Sequence, residues 1–165
     1  MKGRGFTEAG LLLACLPFLV AAAANFCGGF LSEALTRRLG LKWGRRWLGC
    51  FGLGSAALLL TAAMLTEQRM WSLVFLSLSF GAITLQQPGV LAVCLDLGGR
   101  RYAGAVTGAM NTATFLSAFV SSIAYGYIVK GYGYNAPFVP MIGLLVVGSG
   151  IWFGIDATRE VVVEV

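Results

Sequence analysis

Five stretches of this chain carry no charged residue: Ala9 to Ser32, Trp47 to Thr66, Met70 to Leu95, Tyr102 to Val129 and Gly131 to Ile155. They run for 24, 20, 26, 28 and 25 residues, so all twelve Lys or Arg and all seven Asp or Glu fall in the remaining 42 of 165 positions. About 20 residues at a helical rise of 1.5 Å cross the roughly 30 Å hydrocarbon core of a bilayer, and every stretch reaches that length. A soluble domain has about a quarter of its residues charged and spreads them over each solvated face. With 12% charged and 58% hydrophobic residues, this chain cannot cover such a surface. Lipid leaves backbone groups without water, so a spanning segment must be a helix or belong to a closed barrel. Barrel strands alternate apolar and polar residues, whereas Leu58 to Met64 and Met141 to Val147 are mostly apolar on both parities. The expected fold is all-α, a polytopic membrane protein with five transmembrane helices over residues 9–32, 47–66, 70–95, 102–129 and 134–155. A basic loop at 33–46 and a tail at 156–165 complete it as a single transmembrane domain.

Composition excludes several functions. There is no histidine, and Cys15, Cys27, Cys50 and Cys94 are far apart inside apolar runs, so no metal-ligand set, cofactor box or disulfide framework is expected. The net charge of +5 comes from loops and tails rather than from a basic face, which argues against nucleic acid as a partner and for a lipid bilayer. Asp96, Asp156, Glu160 and Glu164 lie at span edges or in the tail with no nucleophile and base placed to act together, so no catalytic residues are expected. Gly49, Gly52 and Gly54 lack both the spacing and the preceding strand of a dinucleotide turn.

Five spans divide the polar segments between two sides. Arg37, Arg38, Lys42, Arg45, Arg46, Arg100, Arg101 and Arg159 share one side; Lys2, Arg4, Arg69 and Lys130 share the other. The positive-inside bias puts the first set, and the C-terminus, in the cytoplasm of a cell membrane, plasma or bacterial inner. The N-terminus would then lie outside with two basic residues, as in a truncated chain. The alternative is a secretory signal, with Lys2 and Arg4 ahead of the apolar run Leu11 to Ala24; Glu8 and the continuing Phe26 and Phe30 oppose it.

Three features could carry function. In the fourth span Gly104, Gly108, Asn111, Thr114, Ala118, Ser121, Ser122 and Tyr125 recur at helical steps. Such a stripe is either a small-residue packing seam, with Gly104 and Gly108 as a GxxxG pair, or the wall of a wet cavity in which Asn111 meets a solute. In the third span, Pro88 follows Gln86 and Gln87 and should kink or open the helix by freeing the carbonyl of Thr84. Interrupted backbone at membrane depth is tolerated where it is buried in protein or lines a cavity, so the glutamines are solute contacts or parts of a kinked structural helix. In the basic segment Arg37 stands four residues after Glu33, a spacing suited to an ion pair on a continuing helix, or these cations simply anchor the inner face.

The run Gly28-Gly29-Phe30-Leu31-Ser32-Glu33, followed by Arg37-Arg38 and Gly44-Arg45-Arg46, resembles the cytoplasmic signature loop of the major facilitator superfamily. Asp96-Leu97, Ala103-Gly104, Gly108, Asn111, Gly126 and Ile155-Asp156-Ala157-Thr158-Arg159 are similar to the eleventh helix and exit of its anion:cation symporters, which include hexuronate, galactonate and sialin-type carriers. Gly5 to Gly10 and Leu16-Pro17-Phe18 resemble the entry to the eighth helix of that family. Glu33 and Ala34 stand where the family has Asp and commonly Arg; Thr114 and Phe115 replace its Gly and Asn after Asn111. The resemblance covers nearly the whole chain and implies helices eight to twelve of a twelve-helix transporter, the earlier helices lying elsewhere or on a second chain. It implies alternating access for a small organic anion, a sugar acid or related carboxylate, coupled to H+ or Na+. Substrate contacts would be Asn111, Gln86 and Gln87, and the cytoplasmic gate Glu33, Arg37 and Arg38. The rival expectation is a non-transporting membrane protein or remnant whose polar stripe serves helix packing.

Overall fold

The computed structural model describes residues 8–158. Lys2, Arg4, Arg159, Glu160 and Glu164 lie outside them. Among the described residues the chain is helical without strands: α1 is Glu8–Leu65, α2 is Arg69–Leu85, α3 is Gln87–Tyr132 and α4 is Phe138–Trp152. α1 and α3 have 58 and 46 residues and would be about 87 and 69 Å long if straight, at 1.5 Å per residue. Neither is straight. Each turns at one glycine with positive φ, Gly40 at 80° and Gly99 at 52°, a conformation that a Cβ makes costly.

Contacts across the two hinges show that the chain doubles back. A Cβ on Gly44 would lie 2.6 Å from the Thr36 nitrogen, and one on Gly98 would lie 3.4 Å from the Val106 side chain. Eight residues of straight helix would hold those pairs about 12 Å apart. The segment expected as a loop at 33–46 is therefore helical on both sides of Gly40, so one residue rather than fourteen makes the turn. The stretch expected as the third span, residues 70–95, is interrupted next to Pro88. α2 stops at Leu85, the Gln86 N–H donates to the Thr84 carbonyl, and α3 begins with Pro88 in its first turn.

Packing order follows from the cross-contacts. α2 runs parallel to the 8–39 arm, since Phe18 meets Phe80, Thr84 Oγ1 donates to Ala21 O at 3.2 Å, and Gly28 meets Leu85. It runs antiparallel to the 41–65 arm, where Ser79 Oγ donates to Ala56 O at 2.9 Å and Ser72 Oγ to Ala63 O at 3.1 Å. α4 lies antiparallel on the far side of that arm: Cys50 Sγ donates to Ser149 O at 3.2 Å, and Ser149 Oγ returns a bond to Cys50 O at 3.0 Å. Lipid supplies no hydrophobic drive between helices, so small residues and side-chain hydrogen bonds at these seams do the work. Gly49, for example, leaves room for the Trp152 ring, which a Cβ would strike at 2.0 Å. Gly40, Gly99 and Asp156 consequently share one end of the bundle, with most of the basic residues.

Gly28 tests this packing, because a Cβ there would sit 2.0 Å from the Leu85 carbonyl oxygen, while one on neighbouring Gly29 meets nothing within 4 Å. Gly28→Ala should cost about 1–3 kcal/mol through overpacking against backbone, lowering the thermal unfolding midpoint in detergent. Gly29→Ala should match or exceed the wild type, since Ala is the better helix former.

Candidate functional site

The hinge at Gly40 returns Arg45 alongside Ser32 and Glu33, and its side chain is only 6% exposed. A guanidinium presents five donors in a planar fork and stays charged when buried, so it needs several acceptors. They come from two helices. Nη1 donates to Ser32 Oγ of the 8–39 arm, Nε donates to Asp96 Oδ2 of α3 at 3.3 Å, and Nη2 lies 3.9 Å from Glu33 Oε1. The ion pair expected between Glu33 and Arg37 is not formed: Arg37 and Arg38 are exposed, and Arg45 takes the carboxylate. Arg45 and Asp96 are 51 residues apart, and no local spacing rule links them.

This cluster floors a cleft of about 540 Å³ between the 8–39 arm and the start of α3, with walls from Phe26, Phe30, Pro88 and Ala92. Its other end is lined by Asn25, whose Nδ2 donates to Gln87 Oε1 at 3.2 Å beside the helix interruption. The two glutamines separate here. Gln87 is exposed and joined to Asn25; Gln86 is buried against Gly52, with Oε1 lacking a protein partner. Of the two, Gln87 is the one tied to the cleft, through Asn25.

The 100–132 arm of α3 turns a different face inward from the one its small residues suggest. Ala103, Val106, Thr107 and Met110 are half-buried, whereas Gly104, Gly108 and Asn111 are exposed, and a Cβ on either glycine meets nothing within 4 Å. The GxxxG pair therefore packs no other described residue. In the stripe, Thr114 and Ser122 donate to the carbonyl four residues back, as do neighbouring Thr112 and Ser117. Asn111, like Ser121 and Tyr125, has no hydrogen-bond partner among the described residues, which leaves its amide available to something else.

Beside the Arg45 cluster, the chain exit is clamped to the same arm. Lys42 Nζ lies 2.7 Å from Asp156 Oδ2, and Arg46, stacked over the Trp43 ring, donates from Nε to Ile155 O at 2.6 Å. The hydrogen bond from Lys42, aided by the Thr158 hydroxyl at 2.6 Å, holds the Asp156 carboxyl well below the usual carboxylate range.

The family model of the Major Facilitator Superfamily matches residues 1–163. This chain belongs to that superfamily. Within it the chain is 30% identical, over 90% of its length, to a protein of Cupriavidus necator named a probable sulfoacetate transporter. It is 28% identical over 96% of its length to a chloroplastic ascorbate transporter of Arabidopsis thaliana, and 25% identical over 93% to a chloroplastic sodium-dependent phosphate transport protein of the same plant. These names agree with the anion:cation symporter resemblance read from the residues. The alignments cover 35%, 29% and 30% of those three relatives, so the chain spans about a third of the length of the superfamily proteins it matches.

Two outcomes check the site. Arg45→Met leaves Asp96 and Glu33 without their cation and should destabilise by about 1–3 kcal/mol, less than a fully buried pair because both carboxylates reach solvent; a thermal melt reads it. Asp156 has a lowered folded pKa, so its clamp stabilises above the unfolded value of about 3.9 and loses that contribution as pH falls below it. The difference in melting point between wild type and Asp156→Asn should stay flat from about pH 8 to 5 and shrink only under about pH 4.

Proposed function

We propose that the complete protein is a secondary transporter that carries a small organic anion, a sugar acid or related carboxylate, by alternating access, coupled to H+ or Na+. The reading is carried by the cleft that runs from Asn25, bonded to Gln87 at a helix interruption, to a closed ion-pair cluster at the basic end. A polar contact beside broken backbone suits a solute site at membrane depth, and a charged cluster at the mouth suits a gate. The sulfoacetate, ascorbate and phosphate carriers among the relatives support an anion, and the sodium-dependent one supports a cation as driving ion.

In this reading the chain makes five crossings, with Gly40 and Gly99 as turns on the cytoplasmic side and the basic residues inside a plasma or bacterial inner membrane. Gln87 precedes Gly99 by twelve residues and Asn111 follows it by twelve. A reversal at Gly99 therefore sets both amides at one level, roughly 18 Å from the turn at 1.5 Å per residue. Asn111 and Gln87 contact the solute, while Gln86 supports the interruption from behind. Glu33, with Arg45 and Asp96, forms the gate, flanked by Arg37 and Arg38. The exposed Gly104, Gly108 face packs against helices beyond the described residues, from the same protein or a second chain.

Reconstituted in proteoliposomes, the complete protein should take up radiolabelled glucuronate or galactonate under an imposed H+ or Na+ gradient. Asn111→Ala should cut uptake at limiting solute about tenfold, the worth of one hydrogen bond to a charged group. Unchanged uptake would remove Asn111 from the site, and silence of the wild type towards organic anions would sink the transport reading.

A further inference from the structure

We infer that Asn25 is a positioning residue: its amide fixes the carboxamide of Gln87 with the oxygen turned inward and both N–H donors turned toward the oxygens of a bound anion. The inference rests on the transport reading and adds a residue and a recognition chemistry to it. A glutamine carboxamide has one face of acceptors and one of donors, and they are nearly equal in size. Its last torsion is broad and close to two-fold, so an isolated Gln offers an anion either face. Half of those offers would place a carbonyl oxygen against negative charge. A donor from outside is needed to choose.

Asn25 supplies that donor. It sits on the 8–39 arm, half-buried, on the lining of the 540 Å³ cleft, and its Nδ2 donates to Gln87 Oε1 at 3.2 Å. With Oε1 occupied, the two N–H groups of Gln87 Nε2 are left for a solute. The charged donor of the same cleft, Arg45, lies at its other end and is held there by Ser32, Asp96 and Glu33. At this level the described part of the cleft can recognise an anion only through neutral donors of fixed polarity. Such donors suit the spread charge and hydroxyls of a hydroxylated carboxylate.

The same chemistry predicts opposite effects for near-isosteric changes. Asn25→Asp replaces the donor with a carboxylate that only accepts, which draws a Gln87 N–H inward and turns its oxygen to the solute. Exchanging the amides, Asn25→Gln with Gln87→Asn, keeps the bond and the combined reach of the two side chains.

The test is uptake kinetics of the complete protein in proteoliposomes with radiolabelled glucuronate, ascorbate and inorganic phosphate, at matched amounts of folded carrier. For the anion the wild type carries, Asn25→Ala should raise KM about tenfold with kcat nearly constant, and Asn25→Asp about a hundredfold. The exchanged pair should return KM to within about threefold of wild type, a recovery that mere support of the fold would not give. Combined with Gln87→Ala, Asn25→Ala should add nothing, because it acts through Gln87. Multiplying effects, or a KM unmoved by Asn25→Asp while wild-type uptake is intact, would overturn the inference and leave the transport reading standing. A folded wild type that carries none of the three anions would overturn both.

Discussion

A single buried guanidinium holds the basic end of this bundle together. Arg45 touches Ser32 and Glu33 across the Gly40 hinge and Asp96 on α3, so it fixes both the reversal of α1 and the distance to α3. Each link is modest alone. Glu33 is 62% exposed and 3.9 Å away, which puts that contact close to a surface ion pair, generally worth under about 1 kcal/mol. The strength lies in the number of acceptors on one desolvated donor fork, since removing any of them leaves charge without compensation. Lys42 and Arg46, on an adjacent face of the same arm, repeat the arrangement toward the chain exit at Ile155 and Asp156.

Away from that end, the helices approach through missing side chains rather than through bulk. Gly28 admits the Leu85 carbonyl, Gly49 admits the Trp152 ring, and Gly52 admits the Gln86 stem. Close backbone approach then lets short hydroxyls reach across, as Thr84 reaches Ala21 and Ser79 reaches Ala56. The large apolar residues meanwhile face outward: Phe26, Phe30, Phe51, Phe115 and Tyr127 are all more than 60% exposed. In water that distribution would be unstable. In hydrocarbon it is what leaves packing to the small residues.

The sequence made legible what depends on hydropathy and on proline. Charge-free runs marked the helices, and Pro88 marked the interruption at Gln86, because both act locally along the chain. It misplaced what depends on three-dimensional return. Residues 33–46 looked like a loop because they are charged, yet only Gly40 leaves helical geometry, and a glycine among many does not announce its φ. Spacing favoured Arg37 as the partner of Glu33, but the hinge delivers Arg45 instead, from beyond any helical repeat. Gln86 and Gln87 are indistinguishable by type, and neighbouring helix positions differ by about 100°. The structure alone shows which of them reaches Asn25.

That difference of one residue bears on how the proposed carrier could work. A ligand shifts a conformational equilibrium only by its differential affinity for the two states. Opening the basic end would separate Arg45 from Asp96 and Glu33, and both carboxylates already reach solvent, so water can replace the lost partners there. The amide end is different: with its oxygen held by Asn25, Gln87 keeps its N–H donors for a solute, and donors closed in without an acceptor are costly. In the proposed carrier a solute whose oxygens take those donors would favour the state that closes around them, while water serves the carboxylates when the basic end opens. In that reading the two ends of the cleft differ in what compensates them, water at the ion pairs and the solute at the amides.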